Sequence, residues 1–302
     1  LNTQKPFFKH SIFLSGVIDM DTKIIAASFD TIVETIVEYV SVTFDTTFNR
    51  ISDMIEGILH GIEQVFLFPP YYVLIAIFGL LAWRTAGKAM AAFTVGGFLL
   101  CRAMNLWDET MITMALVVAS VIITLLFAIP LGIAAGSNRR VSEVTRVLMD
   151  FLQTMPPYVY LIPAIAILGF GASPAITATA IIAFAPAVRL TSLGIRQVPA
   201  EHVEVGQAFG ATPAQSLVKI KLPSALPSIM AGVNQSLMLA LSMAVIAGII
   251  GAGGLGKEVY RAIRVLEVGK AFDAGISIVI LAIILDRISQ GAVTLLKKGA
   301  ES

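Results

Sequence analysis

Charge is scarce in this sequence. Of its 302 residues only 14% are charged, 21 basic against 20 acidic, for a formal net charge of +1. That balance leaves no global basic face, so nucleic acid is not an expected partner and electrostatics must be read locally. Cysteine is scarcer still: the single Cys101 excludes an intramolecular disulfide and any multi-cysteine metal site, and is expected to pack. The three histidines, His10, His60 and His202, share no apolar stretch and form no metal pattern. No metal, cofactor or catalytic centre is therefore expected. No basic stretch followed by an apolar run and a small-residue cleavage site opens the chain, so no removed signal peptide is expected. What fills the chain is apolar. Hydrophobic residues make up 57%, against roughly 45–50% in soluble domains, and the mean hydropathy is +0.85. This is the composition of a membrane protein.

From about residue 30 to 66, Phe44, Phe48, Ile51, Ile55, Ile58, Ile62 and Val65 recur at three- and four-residue steps with Asp45, Asp53, Glu56 and Glu63 between them. A helix with one apolar stripe does not span lipid alone; it lies along the membrane surface or against a partner helix. Apolar stretches follow at about 69–83, 89–106, 111–136, 147–171, 174–195, 229–251 and 272–292. Read against the roughly 20 residues that cross a hydrocarbon core, they predict seven spans and an all-α polytopic bundle. Pro130, Pro156, Pro157, Pro163 and Pro186 lie inside them. Such breaks are tolerated where neighbouring helices or a cavity satisfy the freed backbone groups, and they suggest a pathway rather than a passive anchor.

Basic residues at Arg84 and Lys88, at Arg139, Arg140 and Arg146, at Arg196, Lys219 and Lys221, and at Lys297 and Lys298 fall on one face if the spans alternate. That face is expected to be cytoplasmic, with the N-terminal segment outside and the C-terminus inside. Lys257, Arg261, Arg264 and Lys270 fall on the other face, partly offset by Glu258, Glu267 and Asp273. Charged residues within spans, Asp150, Arg189, Asp273, Asp286 and Arg287, lie near the ends, whereas a proton relay needs ionisable groups deep in the bundle. That argues against a proton-coupled carrier and against a membrane enzyme. Gly251, Gly253 and Gly256 in GAGGLG match the dinucleotide pattern, and Gly251 to Lys257 most of a P-loop. Both need a preceding strand, and Glu258 stands where the P-loop has Ser or Thr. A turn at the end of a span, with close helix approach, is the better reading.

Neutral polar residues are better placed for solute passage. Gln153, Thr154, Tyr158 and Tyr160 surround the proline pair, and Asn234, Gln235, Ser236 and Ser242 lie in GVNQSLMLALSM. Interhelical hydrogen bonding is their plain role; a hydrogen-bonding passage for a small polar solute is the functional alternative. The two tyrosines, two residues apart, do not share a helix face and form no aromatic cage.

The stretch EVGQAFGATPAQSLVKIKLP, residues 204 to 223, breaks this apolar pattern. A helix over 199–209 stops at Gly210. A second begins with Thr212 as cap, Pro213 at the first position and Gln215 completing a capping box, and Pro223 is expected to stop it. The stretch resembles the coupling motif of bacterial ATP-binding cassette importer permeases: E-A-A, three residues, G, nine residues, I-x-L-P. Glu204, Gly206, Gly210, Ile220, Leu222 and Pro223 stand in matching positions, Ala211 follows the glycine, and Val205 and Gly206 replace the two alanines. MDFLQTMPPYVYLIP, APAVRLTSLGIRQVPAEHVEVGQAFGATP, LPSALPSIMAGVNQSLMLALSMAVIAG and VILAIILDRISQ narrow the resemblance to glycine betaine/proline-type permeases over residues 65 to 292.

The resemblance implies a type I importer core over 108–291. Before it come an N-terminal segment at 1–66 and additional spans at 67–107, and a cytoplasmic tail at 292–302 follows. It also implies a homodimer in the bacterial cytoplasmic membrane, with two cytoplasmic ATP-binding subunits and an external substrate-binding protein or domain. ATP would be bound by the partner, and the substrates would be quaternary-amine osmolytes such as glycine betaine, proline betaine and choline. Importers of methionine or another amino acid, ATP-independent secondary carriers and non-transporting scaffolds are the alternatives.

Overall fold

The computed structural model describes residues 31–301, and every regular element among them is helical. The first 30 residues of the N-terminal segment, His10 included, and the last residue of the expected tail lie outside the described residues. The chain divides into two compact units, Leu1–Arg50 and Ile51–Ser302. In the first, residues 31–43 form a helix (α1) and Phe44 stacks edge-on against Phe48.

The second unit carries the membrane bundle. Helix α2 (Asp45–Leu67) is followed by α3 (Tyr71–Ala86), α4 (Lys88–Ala103), α5 (Trp107–Ser137), α6 (Arg139–Thr154), α7 (Pro157–Leu168) and α8 (Ala172–Arg196). Next come two short helices, α9 (Ala200–Ala208) and α10 (Pro213–Ser216), then a π-helical turn over Leu217–Lys221 that runs into α11 (Leu222–Ala247). After a 3₁₀ turn, α12 (Gly254–Arg264) and α13 (Val268–Glu301) complete the chain, so the backbone of the expected tail continues α13 as helix.

Four helical runs are long and apolar enough to cross a membrane: Trp107–Ser137, Ala172–Arg196, Pro213–Ile250 and Val268–Ala292. Counting each sharply bent pair, α2 with α3 and α6 with α7, as one span raises the number to six. The seven separate spans expected from hydropathy are corrected accordingly. Helices α3 and α4 have 16 residues each, about 24 Å of rise against a hydrocarbon core of about 30 Å. The stretch at 147–171 is no straight span either: α6 and α7 meet at 96°. Met155 and Pro156 are extended, because proline disfavours a helical conformation in the residue before it.

The interior is built on small residues, with α8 at its centre. Lipid tails are as apolar as leucine, so helices associate through close van der Waals packing rather than a hydrophobic force. Gly132 and Gly136 of α5 form a G-x-x-x-G step against α8. A Cβ at Gly132 would stand 2.6 Å from the Cβ of Thr191, and one at Gly136 2.7 Å from that of Ile195. On the other side of α8, its Gly194 lies against Ser228 of α11, and Gly232 of α11 lies against Leu190 of α8. Hydroxyls stitch the same helices: Ser236 donates to the Ala183 carbonyl at 2.7 Å, in the turn before Pro186, and Thr124 to the Ala180 carbonyl at 3.3 Å. The amphipathic α2 docks as one face of the apolar stripe suggests, through Ile55 with Leu59, while Val65 stays exposed. Its Ser52 and Glu56 hydrogen-bond Ser173 at the start of α8.

The GAGGLG segment is a packing device. A Cβ at Gly248 would overlap the backbone of Gly256, and one at Gly254 would overlap Thr113, whose hydroxyl accepts from the Leu255 N–H at 2.7 Å. Gly251, Gly253 and Gly254 all have positive φ. The basic residues beyond it are partly neutralised in place, Lys270 by Glu267 at 2.7 Å, while Arg264 sits over the Tyr260 ring.

Gly132→Val should drive α5 off α8, at a cost of about 1–3 kcal/mol or more. The expected result is a lower midpoint in thermal melting of the detergent-solubilised protein. Gly96→Ala, at a helical glycine with nothing within 4 Å of an added Cβ, should leave the midpoint unchanged or raise it.

Candidate coupling site and transport path

The polar insert is two arms joined by a glycine turn. Helix α9 closes in a Schellman arrangement: the Ala211 N–H donates to the Gly206 carbonyl at 3.0 Å and the Gly210 N–H to the Gln207 carbonyl at 2.9 Å, with Gly210 at φ +79°. The next arm opens on a reciprocal capping box. The Gln215 N–H donates to the Thr212 hydroxyl at 3.3 Å, and the Thr212 N–H to the Gln215 side-chain carbonyl at 2.9 Å. Both local expectations hold.

The expected stop at Pro223 does not occur. The helix passes through Pro223 into α11, giving one run from Pro213 to Ile250. The π turn is the physical reason. The Leu222 N–H reaches back five residues to the Leu217 carbonyl, which widens the turn where a proline ring would otherwise meet the carbonyl four residues earlier. Pro223 then sits in the first turn of α11, where its missing N–H costs little.

Gly206, Ala211 and Ile220 come together. The Ile220 side chain occupies the space a Cβ at Gly206 would need, and the Ala211 methyl lies 3.9 Å from that position. Leu222 and Leu217 pack against Ile195, Ala225 and Ile229, which ties the insert to α8 and α11. Glu204 is exposed and makes no ion pair among the described residues. Val205, Val218 and Phe209 of the insert are exposed as well, the last 88%. Sequence reasoning passed over Phe209, yet the signal was present: a phenylalanine beside a helix-stopping glycine, in an otherwise polar stretch, has nothing local to bury against.

The seven path candidates do not converge. Gln153, Thr154 and Tyr158 are exposed around the α6–α7 bend, where the Thr154 hydroxyl donates to the Phe151 carbonyl. Tyr160 bridges that bend by donating to the Leu152 carbonyl at 2.7 Å. Asn234 is held between α11 and α13, donating to Asp286 at 2.8 Å and accepting from Ser289 at 2.6 Å. Gln235 is exposed, and Ser242 donates to Met238 of its own helix. For Asn234, interhelical hydrogen bonding is the observed role.

The described residues thus form a glycine-packed helical bundle with a two-armed insert between two of its spans; its similarity to known proteins makes it a transport permease and not an enzyme. The chain belongs to the binding-protein-dependent transport system inner membrane components, whose family model matches residues 128–299. It is 44% identical over 259 residues to the glycine betaine transport system permease protein OpuAB of Bacillus subtilis, covering 86% of this chain and 92% of that one. With the glycine betaine/proline betaine transport system permease protein ProW of Escherichia coli it shares 43% identity over 84% of this chain and 72% of the relative. Among solved structures, an inward-facing MetNI methionine ABC transporter matches with a TM-score of 0.57 at 21% identity, covering 61% of this chain and 93% of that one. Permeases of this family work with an ATP-hydrolysing subunit and a substrate-binding protein.

The fit of Ile220 into the gap at Gly206 predicts compensation. Gly206→Ala should lower the melting midpoint slightly, by less than about 1.5 kcal/mol in stability, because the obstructing atom ends a flexible side chain. Adding Ile220→Val should restore it; two independent losses that simply add would show that the arms do not touch.

Proposed function

We propose that this chain forms the membrane path of an ATP-driven importer for quaternary-amine osmolytes such as glycine betaine, proline betaine and choline. The observation that carries the mechanism is the unbroken helix from the capping box at Thr212 through the π turn into α11. A push on the exposed arm moves a membrane helix directly. Glu204, Val205, Phe209 and Val218 face outward as the surface that docks on the ATPase. Gly206, Gly210, Ala211 and Ile220 hold the two arms at their angle, and Leu222 and Pro223 lead the second arm into the bundle. ATP-driven closure of two ATP-binding subunits then rocks the α8–α11 pair, and its counterpart in a second permease copy, between inward- and outward-facing states.

The insert-bearing face and the end of α13 lie in the cytoplasm, with the N-terminal segment outside. This chain supplies no ATP site of its own. An external binding protein selects the substrate, because a quaternary ammonium seeks aromatic faces and Tyr158 and Tyr160 make none together. The substrate class is supported by relatives named for glycine betaine and proline betaine transport. The methionine transporter resembles this chain in fold alone.

The test is ATP hydrolysis by the chain reconstituted with its ATPase and binding protein, with glycine betaine, choline, proline and methionine compared. Stimulation by the quaternary amines and not by methionine is expected; stimulation by methionine alone would overturn the substrate class. Gly210→Val forces a β-branched residue to φ +79°, a strain of about 1–3 kcal/mol. It should abolish stimulated hydrolysis and uptake while the protein still inserts. Uptake at the normal rate in that variant would remove the insert from the mechanism.

A further inference from the structure

Apart from the coupling surface, the insert-bearing end of the bundle holds a basic cavity of about 320 Å³ between the end of α5, helix α6 and the last turns of α8. Arg146, Arg189 and Arg196 line it against one carboxylate, Asp150. Arg189 is committed to an ion pair with Asp150, and Arg196 donates to the Ser142 hydroxyl at 2.9 Å. Arg146 has no hydrogen-bond or ion-pair partner among the described residues. Glu143, the nearest other acid on α6, is paired with Arg139 and does not line the cavity.

Two hydroxyls complete the picture. Thr145 and Ser192 are 7% and 4% exposed, line the cavity and make no hydrogen bond among the described residues. Both hydroxyls are free to donate, so a ligand bearing acceptor oxygens is a natural complement. Positive charge in excess, guanidinium forks and unmet donors together describe a site for a phosphate group.

We propose that this cavity binds the phosphate of an anionic phospholipid headgroup. The cavity lies at the depth where headgroups meet a spanning protein: Ala135 is two residues from the end of α5 and Arg196 is the last residue of α8. Next to it α6 turns Val144, Val147, Leu148 and Phe151 outward, 72%, 69%, 48% and 58% exposed. That is a surface for acyl chains continuing from the headgroup, and a soluble phosphate would have no use for it. Basic pockets between membrane helices are a recognised setting for acidic lipids. The zwitterionic substrate fits less well, because the cavity lining contains no aromatic ring for its ammonium group.

The full-length chain, purified into nanodiscs of mixed phosphatidylglycerol and phosphatidylcholine, tests this by native mass spectrometry of the lipid retained after release. Wild type should hold phosphatidylglycerol in preference to phosphatidylcholine. The R146Q/R196Q double variant should lose that preference by about tenfold or more. Thr145→Val, close to isosteric and uncharged, should weaken retention without touching the arginines and guards against a folding defect in the double variant. Inorganic phosphate at millimolar concentration distinguishes the sources. Failure to displace the lipid supports the headgroup; displacement with equal protection of the wild type against heat would move the site to free phosphate and overturn the lipid assignment. Retention equal to wild type in both variants would overturn the site.

Discussion

Close backbone approach inside lipid is the constraint on which this molecule rests. With no hydrophobic force to join one apolar helix to another, contact must come from fit, and fit at backbone range requires residues with little or no side chain. Helix α8 meets this on two sides at once, through Gly132 and Gly136 of α5 and through its own Gly194 with Gly232 of α11. Interfaces packed this closely resist gradual deformation, because interiors at crystal-like density have little room to give. The polar insert joins α8 to α11, the two helices that share this packing. Under the proposed coupling, a force on the insert would enter the membrane at that shared packing.

The same requirement explains the glycines at the far end. In GAGGLG the spacing of a nucleotide loop arises because Gly256 must let its backbone touch that of Gly248, three residues before the segment, and because Gly251, Gly253 and Gly254 take positive φ. A phosphate loop needs its N–H groups open to a ligand; here the Leu255 N–H is already given to Thr113. One sequence pattern thus serves opposite ends, and only its surroundings distinguish them.

Local chemistry was legible in the sequence, and distant contact was not. The glycine stop at Gly210 and the box formed by Thr212 and Gln215 involve residues within a few positions of each other, so their pattern carries their geometry. The helical, membrane-spanning class followed from hydropathy alone. The count of spans did not, because hydropathy measures how apolar a stretch is and not whether it turns: Pro156 bends 147–171 while leaving it just as apolar. The continuation through Pro223 was hidden for a related reason. A proline ends an ordinary helix, and the widened turn that accommodates it is a matter of hydrogen-bond register. Asn234 was recognised as a polar residue needing a partner, but the choice of Asp286 and Ser289 across α13 belongs to the packing.

The π turn between insert and span carries a geometric consequence of its own. Compared with the same sequence wound as α-helix throughout, the wider turn shifts the angular register of everything before it by about one residue, roughly 100° about the helix axis. The turn therefore acts as an indexing joint. It sets which side of the bundle Val218 and the exposed arm address. Because Leu217 and Ile220 within that turn also pack against the Ile195 cluster and Gly206, the angle of the arm and its seat on the bundle are fixed by the same five residues, Leu217–Lys221.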